Sequence, residues 1–166
     1  MVGDDATGTI SGANYNTALG VDVFSALTSG DNNVAVGFQS LAAGTTAESN
    51  TAVGYKSLTA TTTGNYNVAI GAYAGDALTD ADYNVAIGYL SLTNDTLGSK
   101  SVAIGRQALY TQNFTSATDV YSTAVGYNAG YATTTGTNNT LIGALAGDAI
   151  TTGFSNTALG KSALTA

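Results

Sequence analysis

With no histidine and no cysteine among 166 residues, charged-group chemistry falls to eleven Asp and Glu side chains. The densest group is Asp76, Asp80 and Asp82, followed by Asp95, with Asp148 at the repeat position equivalent to Asp76. Such a group suggests calcium, which takes about six to eight oxygen ligands. The chain has no Asp-x-Asp-x-Asp-Gly loop, however, and its acids scatter over different loop positions. Solvated surface is therefore the expected reading, and no metal ligand is assigned. Asp95 is read with the others as a loop residue, so Asp95→Ala is expected to change stability by less than about 0.5 kcal/mol. Catalysis has still less to work with. Glu48 stands alone, a histidine-based triad is excluded, and no pair of acids recurs at a fixed position. No catalytic residue, no cofactor and no enzymatic activity is expected.

Rings and amides offer binding rather than catalysis. Tyr15, Tyr66, Tyr83 and Tyr121 share one column of an internal repeat, and Phe38, Tyr55, Tyr89 and Tyr127 share another. A stripe of rings suits stacking on sugars; it equally suits packing between neighbouring strands, the reading we favour. Asn94-Asp95-Thr96, Asn113-Phe114-Thr115 and Asn138-Asn139-Thr140 fit the glycosylation sequon, but a chain this rich in Asn and Thr supplies several by chance. They are assigned no role.

What must position all of these is the pentapeptide Asn84-Val85-Ala86-Ile87-Gly88 and its eight variants, whose closing glycines stand at 20, 37, 54, 71, 88, 105, 126, 143 and 160. The spacing is 17 throughout, except for 21 between Gly105 and Gly126. A fixed period this short predicts stacked coils, one supersecondary unit each. Taking each closing glycine as position 0, position −1 is aliphatic in all nine copies: Leu19, Val36, Val53, Ile70, Ile87, Ile104, Val125, Ile142 and Leu159. Position −2 is Ala except for Leu141, and position −3 mixes Thr with Val. This is a short strand of period two, with branched side chains on one face. The other face carries Ala and Gly, where another backbone can approach closely.

Position +3 is small, and position +4 is apolar in six coils and Gly in three, which predicts a second short segment. Position −7 holds Gly in five of nine coils, read as a turn of positive φ. Stretches such as 60–65 have no periodicity and are expected to be exposed loops. At position −4 stands Asn in seven coils and Ser in two, a column suited to a hydrogen-bonded ladder. Nine coils in parallel, about 4.8 Å apart, predict a rod on the order of 40 Å long.

Composition agrees. Ala, Val and 21 Gly with four Phe and no Trp suit thin coils better than a thick core. A net charge of −7 with four basic residues argues against nucleic acid. No apolar stretch approaches the roughly 20 residues of a membrane span, and Met1-Val2-Gly3-Asp4-Asp5 does not open a signal peptide. Val2-Gly3 lies in phase with Leu19-Gly20, and the chain ends six residues after Gly160, so the expectation is a single repeat array, 1–166, cut from a longer fibre.

Asn84-Val85-Ala86-Ile87-Gly88-Tyr89-Leu90-Ser91 and Ser101-Val102-Ala103-Ile104-Gly105 resemble the head repeat of YadA-like trimeric autotransporter adhesins, a repeat also found in phage tail fibres. The resemblance covers nearly the whole chain. It implies an all-β, left-handed parallel β-roll assembled as a homotrimer, extracellular on a cell surface or virion, presenting loops to a host-surface protein or glycan. The family's head repeat is usually shorter than the one here, so the loops are the part least carried over. The strand itself calls for a covered face: a thin coil cannot cover both of its faces, the uncovered strip exceeds what monomers usually expose, and the three-fold closure that the resemblance implies would cover it without an open edge. The alternative is an ice-binding solenoid using the Thr/Val column at −3, but Val34, Val68, Val85 and Val102 interrupt it beside an aliphatic neighbour. The four extra residues between Gly105 and Gly126 must leave the stack. Tyr110, Gln112, Asn113 and Phe114 are the candidate adhesion loop there.

Overall fold

The computed structural model describes residues 12–165, which form short strands joined by turns, bends and irregular links with no helix among them. Val2-Gly3, Asp4 and Asp5 lie outside the described residues. Nine three-residue strands form one parallel sheet in the order β1 (Thr17–Leu19), β2 (Val34–Val36), β3 (Thr51–Val53), β4 (Val68–Ile70), β5 (Val85–Ile87), β7 (Val102–Ile104), β9 (Thr123–Val125), β10 (Thr140–Ile142) and β11 (Thr157–Leu159). A smaller pair joins β6 (Gly98–Ser99) to β8 (Thr118–Asp119). Every pairing in the large sheet sets a residue against its equivalent one coil on, as in Ala69 with Ala86 and Ile70 with Ile87. The register survives the long coil, where Ala103 faces Ala124. The fold is an all-β parallel solenoid of about eight turns.

The Ala face of the strand is the inside. Ala35, Ala52, Ala69, Ala103 and Ala124 are fully buried, and across the coil from them lie Leu41, Leu58, Leu92 and Leu109, also fully buried. One Ala opposite one Leu fills a coil, which is why so few bulky residues suffice. Leu141, the one Leu in the Ala column, fits because position +4 is Gly on both sides of it. A Cβ on Gly130 would stand 2.9 Å from Leu141 Cδ1, and one on Gly147 would stand 2.6 Å from Leu141 Cδ2.

The second leg is not a strand. Positions +1 to +6 form turns, with left-handed φ at +2 and +4: 53° at Gln39 and 49° at Leu41, for example. It is nevertheless tied coil to coil, since the amide of Leu41 donates to Ser57 O at 3.0 Å and that of Leu58 to Ala74 O at 3.1 Å. A third left-handed residue stands at −5 in every coil, so 24 non-glycine residues among those described have positive φ. None is β-branched, in a chain rich in Thr and Val. Steric conflict between a branched Cβ and the left-handed backbone accounts for that exclusion.

The glycine reading changes in the same way. Gly30, Gly64, Gly98, Gly136 and Gly153 at −7 do not have positive φ; the closing glycines do, from 117° to 140°. Position −7 is small for another reason. A Cβ on Gly64 would sit 2.5 Å from Ala81 O, the carbonyl that accepts from Asn67 Nδ2 at 2.7 Å. That bond belongs to the position −4 ladder, which forms as the sequence predicts. Asn50 Nδ2 donates to Asn33 Oδ1 at 3.2 Å, and the amide of Asn50 to the same oxygen at 2.9 Å. Asn33, Asn50, Asn67, Asn84 and Asn139 are all buried. The stretch 60–65 is not wholly a loop either, for Thr61 is fully buried with Oγ1 donating to Leu78 O at 3.0 Å.

Candidate functional site

Three surfaces carry the residues that the sequence singles out. The first is the outward face of the sheet. Its centre is the branched columns −3 and −1, and these are not core within the chain. Leu19 is 49% exposed, Ile70 39%, Ile142 38% and Leu159 75%, while Val36, Val53, Ile87, Ile104 and Val125 are half-buried. The two ring columns border this strip, −5 on one side and +1 on the other. They pack along the rod: Phe38 stacks on Tyr55 with centroids 5.4 Å apart, and Tyr66 on Tyr83 at 4.9 Å with planes 5° from parallel. Tyr66, Tyr83, Tyr89, Tyr121 and Tyr127 remain exposed. No Asp or Glu stands at −5, −3, −1 or +1. Lys100, Arg106 and Lys161 all do. An acidic molecule thus keeps one long face apolar, aromatic and mildly basic.

The second surface holds the acids, and the structure gives most of them a local task. At −6, Asp82 Oδ1 accepts the amide of Asn65 at 2.7 Å, and Asp31 Oδ1 accepts that of Asn14 at 2.6 Å. Asp80 Oδ1 accepts from Thr63 Oγ1 at 2.6 Å. Among the described residues no three acids come together as a metal site. Asp76 accepts from Thr93 Oγ1, yet partial burial dominates and pushes its carboxyl above the usual range. A raised folded pKa means the charge opposes folding above that range, and the opposition fades as pH falls through it. Asp76→Asn, which keeps an oxygen for Thr93, is therefore expected to raise the unfolding midpoint slightly at pH 7. The advantage should vanish on acidification below the carboxylate range, as followed by thermal melts across pH.

The third surface is the long coil between Gly105 and Gly126, where the structure corrects the sequence twice. Gln112 is fully buried and Phe114 is 7% exposed, so neither belongs to an adhesion loop. Tyr110 is half-buried and stacks on Tyr131 with centroids 5.1 Å apart; Asn113 is exposed. What protrudes is Thr115, Ser116 and Ala117, followed by β8 docking on β6. Asp95 lies between bends but is not an exposed loop residue. It is fully buried: Oδ1 accepts the amides of Gly98 at 3.1 Å and Phe114 at 3.0 Å, and Oδ2 accepts from Gln112 Nε2 at 2.6 Å. Gln112 Nε2 also donates to Ser101 Oγ at 3.0 Å. The carboxyl group ties the inserted segment to the core. Deleting 113–116 would restore a coil of ordinary length but remove Phe114 and one of these bonds.

No pocket opens in the surface among the described residues.

Comparison with family models, curated proteins and solved structures finds no match. The functional reading rests on the chain itself.

Proposed function

We propose that the chain is a structural and adhesive fibre module of the YadA-like head type, from a trimeric surface adhesin or a viral tail fibre. In this reading its coils are left-handed, three copies close into a homotrimer, and the rod stands outside the cell or virion to meet a host-surface protein or glycan. The supporting observation is the outward face of the nine-stranded sheet. An aliphatic strip runs its whole length, free of carboxylates and uncovered by its own chain. A strip of this extent is characteristic of an interface. Closing it around a three-fold axis buries the strip without leaving an edge that propagates into fibres. Exposed residues outside the strip, Asn113 and 115–117 among them, are then presented three times on one rigid rod, where weak binding gains from avidity.

Light scattering of the purified chain should give three times the 16.5 kDa chain mass; a monodisperse mass of 16.5 kDa overturns the reading. Ile87→Asp is expected to leave a folded single chain, because Ile87 lies outside the coil core, but to abolish assembly by placing a charge at the apolar axis. Adhesion to host surface glycans or proteins should fall with assembly, since the avidity is lost. Thermal hysteresis by the purified rod would favour the ice-binding alternative instead.

A further inference from the structure

Among the described residues Arg106 has no carboxylate partner. Among the described residues the one ion pair joins Lys100 Nζ to Asp119 Oδ2 at 2.6 Å. Arg106 instead holds to rings: its NH1 donates to Tyr127 OH at 3.1 Å, and the guanidinium lies 5.3 Å from the centroid of Tyr127 and 6.0 Å from that of Tyr89. Among the described residues Lys56 and Lys161 likewise lack a carboxylate within 4 Å, but of these three cations only Arg106 is held between two rings at the border of the sheet, where it can meet an outside anion. Asp119 has the complementary free oxygen. Its Oδ2 serves both Lys100 and Tyr121 OH, the latter at 3.1 Å, while Oδ1 accepts nothing and the side chain is 51% exposed. The two cannot meet within one chain. Arg106 stands six residues beyond Lys100 along a largely extended leg, roughly 20 Å at about 3.3 Å per residue.

We infer that Arg106 of each protomer pairs with Asp119 of the next protomer, closing an ion-pair clasp at each corner of the trimer. This rests on the trimer proposed above. A three-fold axis makes every contact heterologous and keeps all copies at one height. Each corner of the assembly therefore joins the +1 border of one sheet to the −5 border of its neighbour, coil for coil. At the coil closing on Gly105 the two borders carry Arg106 and Lys100, with Asp119 held over Lys100 by the coil above. The coils on either side put rings on both borders: Tyr83 and Tyr89 below, Tyr121 and Tyr127 above. A corner so built sets two cations and one carboxylate among four rings. The rings shield the pair from water and add cation–π attraction, as Lys100 over Tyr121 at 5.1 Å already shows. The remaining corners differ. Those of the coils closing on Gly37, Gly54 and Gly71 offer one ring each, opposite Asn32, Ser49 and Ala72, with no cation at −5 or +1. The clasp thus occurs once along the rod and fixes which coil meets which.

Zero-length carbodiimide coupling tests it, because that reagent joins an amine to a carboxyl group only where the two already touch. Arg106→Lys keeps the charge and supplies the amine. Treated protein should run as covalent dimer and trimer on a denaturing gel, and mass spectrometry should find a peptide joining positions 106 and 119. Adding Asp119→Asn should remove both the bands and the peptide. A protein of three-chain mass by light scattering whose coupling at Asp119 is confined to Lys100 overturns the clasp and leaves the trimer standing. A single-chain mass overturns the trimer, and the clasp with it.

Discussion

Asp95→Ala should destabilise the chain by about 3–5 kcal/mol, one of the largest effects available to a single side chain here. Three N–H donors converge on this one buried carboxyl group: Gly98, Phe114 and Gln112. Removing it strands the Gly98 and Phe114 amides in a dry interior and leaves Gln112 Nε2 only its bond to Ser101 Oγ, at about 1–3 kcal/mol for each N–H left unsatisfied, less whatever relaxation recovers. It also opens a cavity between the coil and the inserted segment. Asp95→Asn retains one acceptor oxygen but turns an NH2 toward donors, so its cost should be intermediate. Asp82→Ala, which loses one surface acceptor for the amide of Asn65, should cost about 1 kcal/mol. Urea unfolding of the three variants checks the ranking. If Asp95→Ala behaves like Asp82→Ala, the buried anchor is wrong.

Gly88→Ala is expected to be as damaging for an unrelated reason. Gly88 has φ of 127°, and a Cβ there would lie 2.6 Å from Gly105 O and 2.7 Å from Gly105 C. Those atoms are backbone of the next coil and cannot rotate away, so the sheet must part at that point. Backbone strain contributes about 1–3 kcal/mol, and the lost inter-coil bonds add to it. Gly160→Ala separates the two terms, since Gly160 has a comparable φ of 117° with nothing within 4 Å of the added carbon. Thermal melts should show Gly160→Ala paying only the strain. Equal losses at the two positions would mean that the close backbone approach is not what demands glycine.

Much of this architecture is legible in the residues. The period, the parallel register, the buried Asn ladder and the need for glycine where backbones meet all follow from column identity, because stacking places like on like. The second leg escapes such a reading because Leu41, Leu58 and Leu92 are ordinary strand formers, and nothing in one such residue announces a left-handed φ. The signal lies in what is absent: no Val, Ile or Thr occurs at −5, +2 or +4 in any coil. The long coil misleads when its columns are counted backward from Gly126. Counted forward from Gly105, Gln112 falls one full period after Asp95, and so above it in the same interior column. The insertion begins only after Phe114. The outward, uncovered position of Ile70 and Ile142 has no sequence signature of its own, since an aliphatic column looks the same whether it meets its own chain or another.

The buried Asp95–Gln112–Phe114 junction bears on how such a chain finds its own alignment. Nearly identical coils are interchangeable partners: β3 laid on β5 instead of β4 would still match Thr to Val, Ala to Ala and Val to Ile, at the cost of one looped-out coil. Energies that barely distinguish neighbouring alignments invite slippage and kinetic traps. The long coil breaks that degeneracy. Only with β9 on β7 does Thr118 reach Gly98 while Gln112 lies above Asp95, and a slip of one coil in either direction leaves the buried carboxyl group without its Gln112 and Phe114 donors. The one irregular coil works as an index mark on an otherwise uniform scale, and a chain trimmed to a perfectly even repeat would lose it.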